Sequence, residues 1–144
     1  MRNVTRETKA QALGRCGLFS SLSKKELALL ARVSEDVEVD EGTVLAKEGE
    51  IGQQFFLISK GKVKIARNGR RIGTKGPGEW VGEIAVLEDV RRTATLTAET
   101  PVRMFVFARA DFRHLVKESP GVESKILRAL ARRVLELSKD PTLA

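Results

Sequence analysis

The apolar positions of this chain change period twice. In SSLSKKELALLARV, residues 20–33, Leu27, Leu30 and Ala31 fall on one face of a 3.6-residue helix. Ser23 and Glu26 have the spacing of a capping box, and Leu22 and Leu27 flank it as a hydrophobic staple would. From about residue 35 the period becomes two. EDVEV leads, GKVKIAR follows with Val63 and Ile65 alternating with lysines, and TATLTAE places Ala94, Leu96 and Ala98 on one side. PVRMFVFAR closes this zone. Turn signals divide it at Gly42, Gly49, Gly52, Lys60-Gly61 and Gly73, and Asn68-Gly69 between two strand-like runs predicts a tight hairpin. The helical period then returns. Asp111 is expected to cap a short helix through Lys117, and Ser119-Pro120 opens a longer one on which Leu127, Leu130, Val134 and Leu137 form an apolar stripe.

Helix, many short strands, then helix again predicts a mainly β fold with an N-terminal helix and C-terminal helices, its strands forming a sandwich or a small antiparallel barrel, of which an antiparallel jelly roll (double-stranded β-helix) is the arrangement expected. The 144 residues are read as a single domain, long enough to bury a core without a covalent staple. The stripe on the last helix has three possible uses: packing on the strands, covering a pocket, or pairing with a second subunit.

Charge narrows the partners without choosing one. Lys and Arg number 26 against 19 Asp and Glu, a net charge of +7, which favours anions in general. One cysteine, Cys16, and one histidine, His114, exclude a disulfide framework and a multi-cysteine zinc site, so no metal is expected. The first residues, MRNVTRETKA, are too polar for a secretory core, and no apolar run reaches the length of a membrane span. A cytoplasmic location is the expectation.

The chemistry concentrates in GEIAVLEDVRRTAT, residues 82–95, between a strand ending near Trp80 and one beginning near Thr93. Gly82 admits close approach to the backbone, and the amides after it, at the start of a short helical turn over Ile84 to Glu88, would face an anion. A carboxylate at the same end, Glu83, would repel a phosphate unless it served a sugar hydroxyl. Arg92 offers a planar fork for two phosphate oxygens, and Thr93 adds a hydroxyl and an amide. Phosphate, ribose and an enclosed pocket imply a nucleotide. The glycine-lysine loop and metal ligands of a triphosphate site are absent.

GEIAVLEDVRRTAT resembles the phosphate-binding cassette of cyclic nucleotide-binding domains, the sensor modules of catabolite activator proteins, kinase regulatory subunits and nucleotide-gated channels. Gly82, Glu83, Ile84, Ala85, Arg92, Thr93, Ala94 and Thr95 match its pattern. LFSSLSKKEL is similar to the family's leading helix and EGTVLAKEGEIGQQFFLISKGKVKI to its early strands, so the likeness runs from about Leu18 to about Leu137. The sequence departs from the pattern at Arg91, where the family often has proline, and at Trp80-Val81, where aromatic pairs are common.

The resemblance implies ligand-binding roles for Gly82, Glu83, Ile84, Ala85, Arg92, Thr93 and Thr95. Glu83 would take the ribose 2′-hydroxyl, Arg92 the cyclic phosphate, and the amides of Ile84, Ala85 and Thr93 the remaining phosphate oxygens. It further implies that the last helix moves toward the filled pocket. That helix lacks an aromatic to stack on the base, which leaves Arg132 or Arg133 as candidate base caps.

The expected function is therefore a cyclic nucleotide sensor, with cAMP the stronger ligand and cGMP also bound. It needs no further cofactor, acts on an effector protein, and has the C-terminal helix available for a homodimer. SKDPTLA leaves no room for a helix-turn-helix, so the chain is expected to be a free-standing sensor or a domain of a larger protein. Two other functions compete: a ligand-free jelly roll used for protein interaction, which loss of Glu83 or Arg92 would have favoured, and nucleic-acid binding through the basic surface. No nucleophile-base pair argues for an enzyme.

Overall fold

The computed structural model describes residues 8–82 and 91–138. The chain begins with α1 (Lys9–Gly14) and α2 (Lys24–Arg32). α2 starts as its sequence dictates: Ser23 Oγ accepts from the Glu26 amide at 3.2 Å, and Glu26 Oε1 accepts from the Ser23 amide at 2.8 Å. Thr8 and Gln11 form the same reciprocal cap on α1. At six residues α1 is too short to show a periodic stripe, which is why the apolar pattern does not reveal it.

The strands follow as β1 (Ser34–Val39), β2 (Val44–Ala46), β3 (Gln54–Lys60), β4 (Val63–Arg67), β5 (Arg70–Lys75), β6 (Trp80–Val81), β7 (Thr95–Ala98) and β8 (Val102–Ala108). They make two antiparallel sheets, ordered β1-β8-β3-β6 and β2-β7-β4-β5. The helices α3 (Arg109–Glu118) and α4 (Pro120–Leu137) complete the described chain.

Within the first sheet β3 and β8 are buried on both faces, and this explains their unbroken apolar runs. Alternate residues Phe56, Ile58, Met104 and Val106 share one core with Val63, Leu96 and Ala98 of the second sheet. Their neighbours Phe55, Leu57, Phe105 and Phe107 point the other way, into a core with Leu13, Leu30, Phe112, Val122 and Ile126 of the helices. Phe55 stacks on Phe107 at 4.7 Å between centroids, and Phe112 meets Phe55 edge-on at 4.9 Å. Truncating such a ring to alanine costs about 3–5 kcal/mol.

Asn68 and Gly69 join β4 to β5 with φ of +53° and +76°, the left-handed pair that a two-residue hairpin turn requires. Two local expectations are corrected and a third is narrowed. Gly73 does not end a strand: it lies inside β5, paired with Ile65 at a register shift. Asp111 is not a cap, because α3 begins at Arg109 after Ala108, which puts the carboxylate in the first turn near the positive helix end. On α4 the inward residues are Val122 and Ile126, with Leu130 half-buried, while Leu127, Val134 and Leu137 of the expected stripe are exposed.

Candidate functional site

Arg92 is 8% exposed, an unusual degree of burial for arginine. The loop before β3 holds its backbone: the Arg92 amide donates to the Glu50 carbonyl at 2.7 Å, and its own carbonyl accepts from Gly49 at 2.9 Å. Arg91, bridged to Ile51, donates its side chain to the Gly49 carbonyl at 3.0 Å. With the main chain held, the guanidinium is aimed by Nη1 donating to the Gly82 carbonyl at 2.9 Å and Nη2 to the Gln54 carbonyl at 2.5 Å. Its Cζ stands 6.0 Å from the Phe56 ring centroid. Gly82 has φ +78°, a conformation that glycine adopts without strain.

Arg92, Gly82, Thr93 and Ala94 line a cavity of about 190 Å³. Val81 and Leu96 come from the strands that flank the cassette, and Ile65 and Ile72 from the β4-β5 hairpin. The same cavity is lined by Arg67, Lys75 and Trp80. The cavity thus combines a fixed guanidinium and two further cations with the aliphatic side chains of Ile65, Ile72, Val81 and Leu96.

The predicted residues divide into three groups. Gly82, Arg92 and Thr93 are brought together at this cavity. Glu83, Ile84 and Ala85, and the helical turn expected over Ile84 to Glu88, lie outside the described residues. Thr95, Arg132 and Arg133 stand elsewhere. Thr95 is absent from the cavity lining, and its hydroxyl accepts from the Glu48 amide at 3.1 Å. Arg132 and Arg133 line a separate cavity of about 280 Å³ with Leu18, Ser20 and Glu136. Arg133 Cζ lies 5.8 Å from the ring centroid of Trp80, which walls both cavities.

Sequence reading missed Arg67 and Lys75. Arg67 Nε donates to the Thr93 carbonyl at 2.9 Å, and Lys75 Nζ lies 3.6 Å from Glu79. The strand period carried part of this signal, since Val63, Ile65 and Arg67 alternate onto one face. Cys16 is buried, and burial pushes its thiol pKa up, away from the thiolate needed for reactivity. His114 is exposed beside Glu118 at 3.5 Å.

A family model for the cyclic nucleotide-binding domain matches residues 36–119. The chain belongs to that family. Among relatives of this domain, the CRP-like cAMP-activated global transcriptional regulator of Mycobacterium tuberculosis is 31% identical over 129 residues, covering 86% of this chain and 58% of that one. The cGMP-dependent protein kinase of Eimeria tenella is 36% identical over 101 residues, covering 69% of this chain and 10% of the kinase. The chain thus spans little more than half of the first relative and a small part of the second.

Solved structures agree on the fold. The N-terminal domain of a transcriptional regulator from Streptomyces coelicolor A3(2) superposes with a TM-score of 0.76 at 32% identity, covering 92% of this chain and 99% of that one. The regulatory domain of Toxoplasma gondii PKA, crystallised with cAMP, gives 0.70 at 26% identity over 77% of this chain and 44% of that one. The cyclic nucleotide-binding domain therefore accounts for the two antiparallel sheets and the flanking helices, and no enzymatic family is indicated. Among the described residues, no helix is long and apolar enough to cross a membrane.

Proposed function

We propose that this domain is a regulatory sensor that binds a cyclic purine nucleotide, cAMP or cGMP, at the Arg92 cavity. The observation that carries the reading is the setting of Arg92, a residue only 8% exposed whose guanidinium is aimed by two carbonyls, in a cavity that it lines together with Thr93, two further cations and several aliphatic side chains. A singly charged phosphate diester suits one such fork. Glu83 then takes the ribose 2′-hydroxyl, and the amides of Ile84, Ala85 and Thr93 take the remaining phosphate oxygens. The base lies against Ile65, Ile72 and Leu96.

Thr95, engaged with Glu48, and Arg132 and Arg133, at the other cavity, are left out of this ligand shell. The output passes through α4 to an effector protein. Leu127, Val134 and Leu137, exposed along α4 at seven- and three-residue steps, form a seam suited to pairing with a second copy.

Calorimetric titration of the protein with cAMP, cGMP and 5′-AMP tests the ligand class. A cyclic nucleotide should bind at one per chain, with 5′-AMP weaker by about tenfold or more because its phosphate carries a second charge and turns freely. An absence of heat with both cyclic nucleotides would overturn the reading.

A further inference from the structure

The net charge of the chain is held in one place. From Lys60 to Lys75, the end of β3 and the β4-β5 hairpin, there are seven Lys and Arg residues and no carboxylate. Seven of the 26 cations lie there, which leaves 19 against the 19 Asp and Glu residues, so the +7 of the chain is the charge of this stretch. From Glu35 to Glu50, over β1, β2 and the loop after them, the balance is reversed. Seven carboxylates there stand against Lys47 alone.

The second sheet puts the two stretches on its opposite borders. β5 is its outer strand on one side and β2 on the other, and residues 40–43 join β2 to β1, an outer strand of the first sheet. Arg70 and Arg71 of β5 and Lys62 beside β4 are exposed, as are Glu35 and Glu38 of β1. The fold answers part of each charge internally: Arg71 pairs with Glu99 at 2.7 Å, and Asp36 with Arg103 at 2.7 Å. Among the described residues, Arg70, Glu35 and Glu38 have no ion-pair partner.

An outer strand presents a row of unpaired backbone donors and acceptors, and charge on it keeps copies from joining edge to edge. That protection works only between like edges. Two β5 borders repel each other, and so do two β1-β2 borders, whereas unlike borders attract. We propose that the basic β5 border docks on the acidic β1-β2 border of a second copy, a head-to-tail contact separate from the α4 seam. One surface meets a different one, so the contact repeats along an open row or closes into a ring.

The experiment is sedimentation velocity of the full chain over a range of concentrations, at about 20 mM and about 500 mM salt, with thermal melts to confirm folding. The parent should associate at low salt and come apart at high salt, where a dimer through the apolar α4 seam would persist. Lys62→Glu with Arg70→Glu reverses the basic border. Glu35→Lys with Glu38→Lys reverses the acidic one and leaves the pair of Asp36 and Arg103 in place. Each double variant alone should lose about tenfold or more in association constant, because like charges then face each other. Mixed in equal amounts the two should regain it, since the untouched border of each meets the untouched border of the other. A misfolded variant cannot give that recovery. A parent that sediments alike at both salts, an association that survives either reversal, or a mixture that stays apart would overturn the proposal. So would heparin binding by a parent whose copies do not associate at low salt, which would assign the hairpin to a polyanion.

Discussion

Gly82 and Arg92 meet so closely that a methyl group on Gly82 would stand 2.6 Å from Arg92 Nη1, the nitrogen that donates to the Gly82 carbonyl. With φ at +78°, alanine here would bear backbone strain of roughly 1–2 kcal/mol and would also push the guanidinium from its seat. Gly82→Ala should lower the thermal midpoint by several degrees and weaken nucleotide binding. A variant that melts and binds as the parent does would show that Arg92 tolerates displacement.

Thr93 presents its carbonyl to Arg67 and lines the cavity, and in the proposed site its hydroxyl serves the ligand. Replacement by alanine keeps the carbonyl and deletes the hydroxyl. A hydrogen bond of about 0.5–1.5 kcal/mol corresponds to at most about tenfold in affinity. Thr93→Ala should weaken cGMP more than cAMP if the hydroxyl reaches the guanine amine. Equal loss for both nucleotides would confine Thr93 to the phosphate.

Trp80, the single tryptophan of the chain, walls the Arg92 cavity and lies under Arg133 of α4. Its emission should therefore change on nucleotide binding and saturate at the calorimetric Kd. Arg133→Ala removes a cation-ring contact of about 0.5–1 kcal/mol and should shift the unliganded spectrum. Emission indifferent to saturating nucleotide would separate Trp80 from the bound ligand.

Glu26 ties the first helices to the last, for its Oε1 accepts from Lys125 Nζ at 2.6 Å and from the Ser23 amide at 2.8 Å. The Lys125 ammonium first, and the Ser23 amide second, hold the Glu26 carboxyl below its usual range. A depressed folded pKa contributes stability that is present above the unfolded value, near 4.3, and is lost as pH falls through the folded one. Glu26→Gln should cost about 0.5–1 kcal/mol at neutral pH and flatten the acid limb of the stability curve below about pH 4.5. Denaturant titrations at pH 7 and pH 3.5 check this. A variant that keeps the parent's full acid dependence would place the sensitivity elsewhere.

Local signals were legible where neighbours in sequence are partners in structure. Ser23 with Glu26 and Asn68 with Gly69 each bond or turn within three residues, and the alternation of Ala94, Leu96 and Ala98 is kept as burial. That alternation also turns Thr95 away from the cavity, a consequence readable from the strand period. Contacts across long separations were not readable. Arg67 reaches Thr93, 26 residues away, only because β4 pairs with β7. Gly73 has the look of a turn, and only the β4-β5 register makes it part of an irregular strand. Arg133 meets Trp80 through the packing of α4, which no periodicity reports.

The most direct test of the account removes Arg92. Calorimetric titration of the parent and Arg92→Ala with cGMP and cAMP, with circular dichroism to confirm folding, compares a phosphate facing a guanidinium with one facing none. Breaking a buried charge pair costs about 3–5 kcal/mol, so both nucleotides should lose a hundredfold or more in affinity. A folded Arg92→Ala protein that binds either cyclic nucleotide as tightly as the parent would contradict the assignment of this cavity.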